Sequence, residues 1–303
     1  MKVIKLLFLL FIIPHITLGQ DASALFDSGM RAYEAKNYSS AIEDFSKAYS
    51  ADPNMLDALY YRGRAHRRHN NIDASLSDYN NLLLKDPTYV EAYYYRGNTL
   101  MSLELFEEAI SDFNDVIKLS PNHPKLFWVY SNLGVSTREL HDEEGSLKFF
   151  EKSIELNPDF YGVYSSRAVT RILLEDIDGA IEDCQQGIKL KPELHTFYEM
   201  MGHAYLLKQN TNMAIEYYQR VIEMNPRNKL SSFMIAFCYG IEGDLKEADR
   251  YLQLGYISGL TIPEEDALGL PDFFGLVGDK ILDGDATYDD AWKTIQKALW
   301  YKL

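Results

Sequence analysis

His66 and His69 stand three residues apart, the spacing at which one helix face would offer two imidazoles to a metal ion. Arg64, Arg67 and Arg68 surround them, and that positive charge opposes a cation, so the pair reads as surface histidines. Asp283, Asp285, Thr287 and Asp289 alternate like the start of a calcium-binding loop. Tyr288, however, occupies the place where such a loop needs glycine for its sharp turn, and Thr294 the place of the bidentate glutamate. An acidic turn into a helix, with Thr287 and Asp290 as its capping box, fits these residues better. Cys184 and Cys238 are the only thiols, which excludes a disulfide scaffold and leaves two small buried hydrophobes. GxSxG, HExxH, CxxC, phosphate-loop and dinucleotide motifs are all missing. The expectation is a protein that is not an enzyme and needs no metal or cofactor.

The 303 residues carry 30 Lys and Arg against 45 Asp and Glu, a net charge of −15, which argues against nucleic acid as a partner. An apolar content of 47% is enough for a core, so the chain is expected to fold. Residues 1–19 read as a secretory signal: Lys2 and Lys5, an apolar run from Leu6 to Ile13, the break at Pro14, and small residues ending at Gly19. That run is too short to span a bilayer. The mature chain is therefore expected to have no membrane span and to be exported, periplasmic or secreted. Asn37-Tyr38-Ser39 is a glycosylation sequon, relevant only in a glycosylating host.

The body has a period. Pro53, Pro87, Pro121, Pro158, Pro192 and Pro226 are spaced 34, 34, 37, 34 and 34 residues apart. Four of them follow Asp or Asn (Asp52, Asp86, Asn157 and Asn225), which suggests helix starts with the proline in the first turn. With each proline as position 32, the repeats begin at Ala22, Leu56, Val90, Phe127, Tyr161, His195 and Lys229. Position 8 is then Gly or Ala throughout, position 20 is Ala or Ser, and position 24 is bulky except at Cys184. The spacing of 37 marks three extra residues near Asn122-His123-Pro124, read as a loop between repeats.

The repeats also covary with one another. Arg at position 7 accompanies Asp at position 23 in Arg62/Asp78, Arg96/Asp112 and Arg167/Asp183. Apolar residues at 7 accompany aromatics at 23 in Leu133/Phe149, Met201/Tyr217 and Ile235/Tyr251, while Ser28/Asp44 departs from the rule. Positions 7 and 23 should therefore touch across the two helices of a repeat, and these arginines should be structural.

This pattern resembles the tetratricopeptide repeat, a 34-residue helix–turn–helix unit, over about residues 22–260. The segments AIEDFSKAYSADP, AISDFNDVIKLSP and AIEYYQRVIEMNP are similar to its second helix. The resemblance implies an all-α, right-handed superhelical solenoid of seven repeats, the seventh incomplete. It implies that first helices line a concave face through positions 2, 5, 6, 9, 12 and 13. Those positions carry Tyr60, Tyr61, Arg64 and Arg67 in repeat 2, Tyr94, Tyr95 and Asn98 in repeat 3, and Asn132 and Arg138 in repeat 4. Tyrosines with arginines are the composition enriched at protein interfaces, so these nine are the candidate partner-binding residues. Ordinary packing and solvated charge would account for the same residues. In repeats 5–7 the lining turns apolar (Val169, Ile172, Met200, Leu206, Phe233, Met234, Phe237), which leaves a narrowed, a tail-filled or a sticky end open. The carboxylate clamp of the chaperone-binding subclass needs Lys at position 5, where repeats 1–4 have Phe26, Tyr60, Tyr94 and Ser131. That specificity is not carried over.

Residues 261–303 leave the repeat pattern. An acidic stretch precedes Trp292, Ile295 and Leu299 at helical spacing, so the segment is expected to be a helical cap over the last repeat, with an acidic docking tail as the rival. Together these readings point to a non-catalytic scaffold of the cell envelope or extracellular space that binds a protein or peptide, or alternatively to a structural subunit of an envelope assembly.

Overall fold

The computed structural model describes residues 21–257. The expected signal (1–19), the cap (261–303) and the acidic alternation from Asp283 lie outside them. The described residues form α-helices and no strand. In order these are α1 (Ala22–Glu34), α2 (Tyr38–Ala51), α3 (Leu56–Arg68), α4 (Ile72–Lys85), α5 (Val90–Met101), α6 (Phe106–Leu119), α7 (Leu126–Glu139), α8 (Glu143–Leu156), α9 (Tyr161–Leu173), α10 (Ile177–Leu190), α11 (His195–Leu207), α12 (Thr211–Met224), α13 (Lys229–Ile241) and α14 (Leu245–Ile257). They pack as consecutive pairs, one pair per repeat. The chain divides into two compact units, the first ending at His123 and the second beginning at Pro124. The three extra residues thus fall in the connection after α6, as expected for a loop.

Within a repeat the two helices are joined by a turn of fixed geometry. Lys36, Asn70, Glu104, His141, Glu175, Gln209 and Gly243, each at position 15, all have φ between 57° and 77°. This left-handed residue ends the first helix. The next residue caps the second: Asn37, Asp142, Asp176, Asn210 and Asp244 each accept a hydrogen bond from the backbone N–H three residues on.

Between repeats the prolines behave differently from the expectation. The second helices of repeats 1, 2, 4 and 6 stop before Asp52, Asp86, Asn157 and Asn225, and the side chain of each of these residues accepts from the N–H two residues later. These are Asx turns with proline inside the turn, not helix starts. The next helix begins three residues after the proline, and proline suits the turn because it has no N–H to leave unpaired.

Positions 7 and 23 do meet. Arg62 binds Asp78 at 2.6 and 2.9 Å, Arg96 binds Asp112 at 2.6 and 2.8 Å, and Arg167 binds Asp183 at 2.6 and 3.0 Å. Two of these arginines also reach the preceding repeat, Arg62 to Ser46 Oγ and Arg96 to Asn80 Oδ1. The departure in repeat 1 has a simple cause, since the Ser28 hydroxyl donates to Asp44 at 2.8 Å in the same place. Position 11 joins in as well: Arg171 pairs with Asp183, while Tyr205 stacks on Tyr217 and Tyr239 on Tyr251. His66 also sits at position 11. It is half-buried, 3.9 Å from Asp78, so it belongs to this contact rather than to the surface. Among the described residues no cluster of three His, Cys, Asp or Glu is placed to hold a metal ion.

Position 8 faces position 24. A Cβ built on Gly97 would lie 2.9 Å from the fully buried Phe113 ring, and one on Gly134 would lie 2.5 Å from Phe150. Repeat 5 has Ala168 at this position, and there the facing residue is the smaller Cys184; both are fully buried in one cluster. Cys184 and Cys238 are free thiols, and burial pushes Cys184 up to about 12.

Candidate functional site

Seven of the nine candidate residues, Tyr60, Tyr61, Arg64, Arg67, Tyr94, Tyr95 and Asn98, lie on α3 and α5 of the first unit. Helical spacing puts positions 5, 9 and 12 on one side of α3, and the matching side of α5 lies one repeat away. Tyr60 packs edge-on against Tyr61 at 4.8 Å and Tyr95 at 5.6 Å between ring centroids, and Tyr94 packs against Tyr95 at 5.1 Å. Tyr60 and Tyr94 are themselves buried, at 6% and 8% exposure, so they support the face more than they present it. Tyr61, Arg64, Tyr95 and Asn98 are half-buried. Burial raises the phenol pKa of both Tyr60 and Tyr94, which keeps their hydroxyls neutral.

Arg64 is the centre of this arrangement. Its guanidinium carbon lies 4.6 Å from the Tyr95 ring centre and 5.3 Å from those of Tyr33, Tyr60 and Tyr61. One Nη donates weakly to the Tyr60 hydroxyl at 3.4 Å. Burial and the surrounding tyrosines act on Arg64, and among the described residues it forms no ion pair. One turn on, Arg67 donates from Nη2 to the Asn98 carbonyl at 3.2 Å, and its Nε is buried with no acceptor.

Asn132 and Arg138 belong to the second unit. There Arg138 is held by Glu139 at 2.6 Å and by the Ser166 carbonyl at 3.3 Å, and Asn132 is half-buried. Tyr33 on α1 was not among the candidates. It occupies position 12 of repeat 1, one of the inward positions that the family resemblance implies, so the signal was present one repeat upstream.

The family model described as tetratricopeptide repeat matches residues 26–80, 60–124 and 195–228. The chain is a tetratricopeptide repeat protein. Solved structures with this fold include PilF of Pseudomonas aeruginosa, 17% identical, with a TM-score of 0.60 over 69% of this chain and 94% of that one. PilW, titled a widely conserved type IV pilus biogenesis factor, is 16% identical, with a TM-score of 0.63 over 68% of this chain and 94% of its own. YrrB, titled a TPR protein with an unusual peptide-binding site, is 20% identical, with a TM-score of 0.51 over 63% and 97%. No curated protein sequence matches the chain.

The family match covers most of the first unit and, in the second, repeat 6 alone. In this tetratricopeptide repeat protein the apolar first-helix residues of repeats 6 and 7 are covered: Met200, Leu206, Phe233, Met234 and Phe237 are all buried. An open sticky surface made of those five is therefore excluded. Val169 and Ile172 of repeat 5 are half-buried. No helix among the described residues is long and apolar enough to cross a membrane.

Proposed function

We propose that this tetratricopeptide repeat protein is a non-catalytic scaffold that holds an extended segment of a partner protein on the first-helix face of repeats 2 and 3. The observation that carries the reading is the half-buried tyrosine surface around Arg64, in a protein with a net charge of −15. Tyrosine offers broad flat contact at low entropy cost, and arginine adds forked donors. Screening a displayed library of seven-residue peptides, followed by calorimetry on the selected binders, tests this. Tyr61→Ala and Tyr95→Ala should each weaken binding by about 1–3 kcal/mol. Binders that ignore both changes would move the site off this face.

Its place of work is the cell envelope or the extracellular space, on the strength of the charged start and short apolar run of residues 1–19. N-terminal sequencing of the exported protein should begin near Gln20; an intact Met1 in that fraction would contradict it. The fold likeness to PilW, a pilus biogenesis factor, favours a second reading, a structural subunit of an envelope assembly. A fixed stoichiometric complex on purification would select that reading over transient peptide binding.

A further inference from the structure

We infer that Arg64 is a preset anchor for a carboxylate, its guanidinium fixed by four tyrosine rings of repeats 1–3 and paired with no acid among the described residues. The inference rests on the partner-binding reading of this face for its biological ligand. The arginines at position 7 each grip an aspartate through two hydrogen bonds, and Arg138 and Arg171 are also paired with acids. Arg64 makes no such pair among the described residues, in a chain with a net charge of −15. It is half-buried, where a guanidinium needs compensation, and the compensation comes from ring faces at 4.6–5.3 Å.

Rings stabilise the positive charge but accept few hydrogen bonds, so most of the guanidinium's N–H donors are left for something else. The single contact to the Tyr60 hydroxyl, at 3.4 Å, is long for a hydrogen bond to a cation. Tyr33 and Tyr61 add hydroxyls that can donate, and Arg67 Nε, one turn along α3, is a buried donor with no acceptor among the described residues. The site is rich in donors and poor in acceptors, the composition that suits an anion. Its planar fork matches the two oxygens of a carboxylate. The stacked rings have already restricted the arginine's rotamers, so an incoming acid loses less to ordering. The acid could be an Asp or Glu side chain of the partner or its terminal carboxylate, since both present the same two oxygens.

Nitrogen-15 labelling of arginine in the whole protein gives an Arg64 Nε–H signal, assigned by its loss in Arg64→Lys. Three probes are then titrated: N-acetylaspartate amide, which has a side-chain carboxylate; N-acetylphenylalanine, which has a terminal one; and N-acetylphenylalanine amide, which has none. At least one acid should shift this signal saturably below about 50 mM, and the neutral amide should leave it in place. The acid that acts identifies the source of the carboxylate. Equal shifts from all three probes, or none from either acid, would overturn the anchor. That result needs only the wild-type fold. In Arg64→Lys, whose thermal unfolding is checked first, acid binding followed at the Arg67 signal should weaken about tenfold, because lysine lacks the fork. Loss of the anchor while library peptides still depend on Tyr61 and Tyr95 would leave the peptide reading standing. Acid binding at Arg64 with no such peptides would do the reverse.

Discussion

Arg96 and Asp112 show what one buried pair is worth. Asp112 is 3% exposed and receives two N–H donors from Arg96, so its charge depends on that partner. Asp112→Ala should destabilise the protein by about 3–5 kcal/mol, because it strands a partly buried guanidinium. Replacing both residues with the repeat-4 pairing, Arg96→Leu with Asp112→Phe, should cost less, since apolar groups can replace a buried ion pair. Equal losses in denaturant titrations would show that the two residues act independently. His203 carries a pH dependence. Its ring stands edge-on to Tyr218, and burial lowers its pKa to about 4, against about 6.5 in the unfolded chain. Between those values the unfolded chain binds more protons, so stability present at pH 7 is lost as pH falls through 6.5 towards 4. His203 is half-buried rather than sealed, and screening holds the loss to about 1–2 kcal/mol. Urea unfolding at pH 7 and pH 4.5 measures it, and His203→Gln should remove about that much of the difference.

The helices owe their pairing to the turns as much as to their apolar faces. Six of the seven position-15 residues hold a positive φ without being glycine, at a steric cost that glycine would not bear. Glu104 is exposed with φ 60°, so Glu104→Gly should raise stability by roughly 0.5–1 kcal/mol even though it frees the unfolded chain, and a thermal melt would register the rise. This turn was hard to read in advance because Lys, Asn, Glu, His and Gln all occupy the position and none announces a left-handed backbone. The cap beside it was legible, since position 16 is Asn or Asp in six repeats and only Leu105 departs. The Asx-Pro steps misled because a capping residue followed by proline is chemistry that helix starts and inter-repeat turns share.

At the scale of the molecule, the period, the helix pairs and the 7/23 contact were legible because the chain repeats one pattern, and the contact itself recurs in four repeats. Internal comparison then does what a single copy cannot. The surroundings of Arg64 were only half legible, for the opposite reason: they occur once and take Tyr33 from a neighbouring repeat. Whether Tyr60 and Tyr94 are buried or presented is likewise a matter of packing, and the tyrosine type does not reveal it. The first unit ends at His123 and has three complete helix pairs, enough for a repeat array to hold together. Residues 21–123 made alone should therefore stay helical and melt in one sigmoidal step. A shallow, linear loss of ellipticity would show that this unit depends on the rest of the chain.

The contacts between positions 7 and 23 and between 8 and 24 both close within a single repeat. In genetic terms, a duplication or deletion with its ends at the Asx-Pro turns carries each matched pair along intact, and what it disturbs is the grip on the preceding repeat, as of Arg62 on Ser46, Arg96 on Asn80 or Tyr251 on Gln219. A crossover at position 15 would instead marry a glycine to a stranger's side chain and an arginine to a tyrosine. The chain can thus change length in steps of whole repeats at little risk, while recombination inside a repeat is punished by the core, and the 34-residue spacing that survives across most of it is what such a history would leave behind.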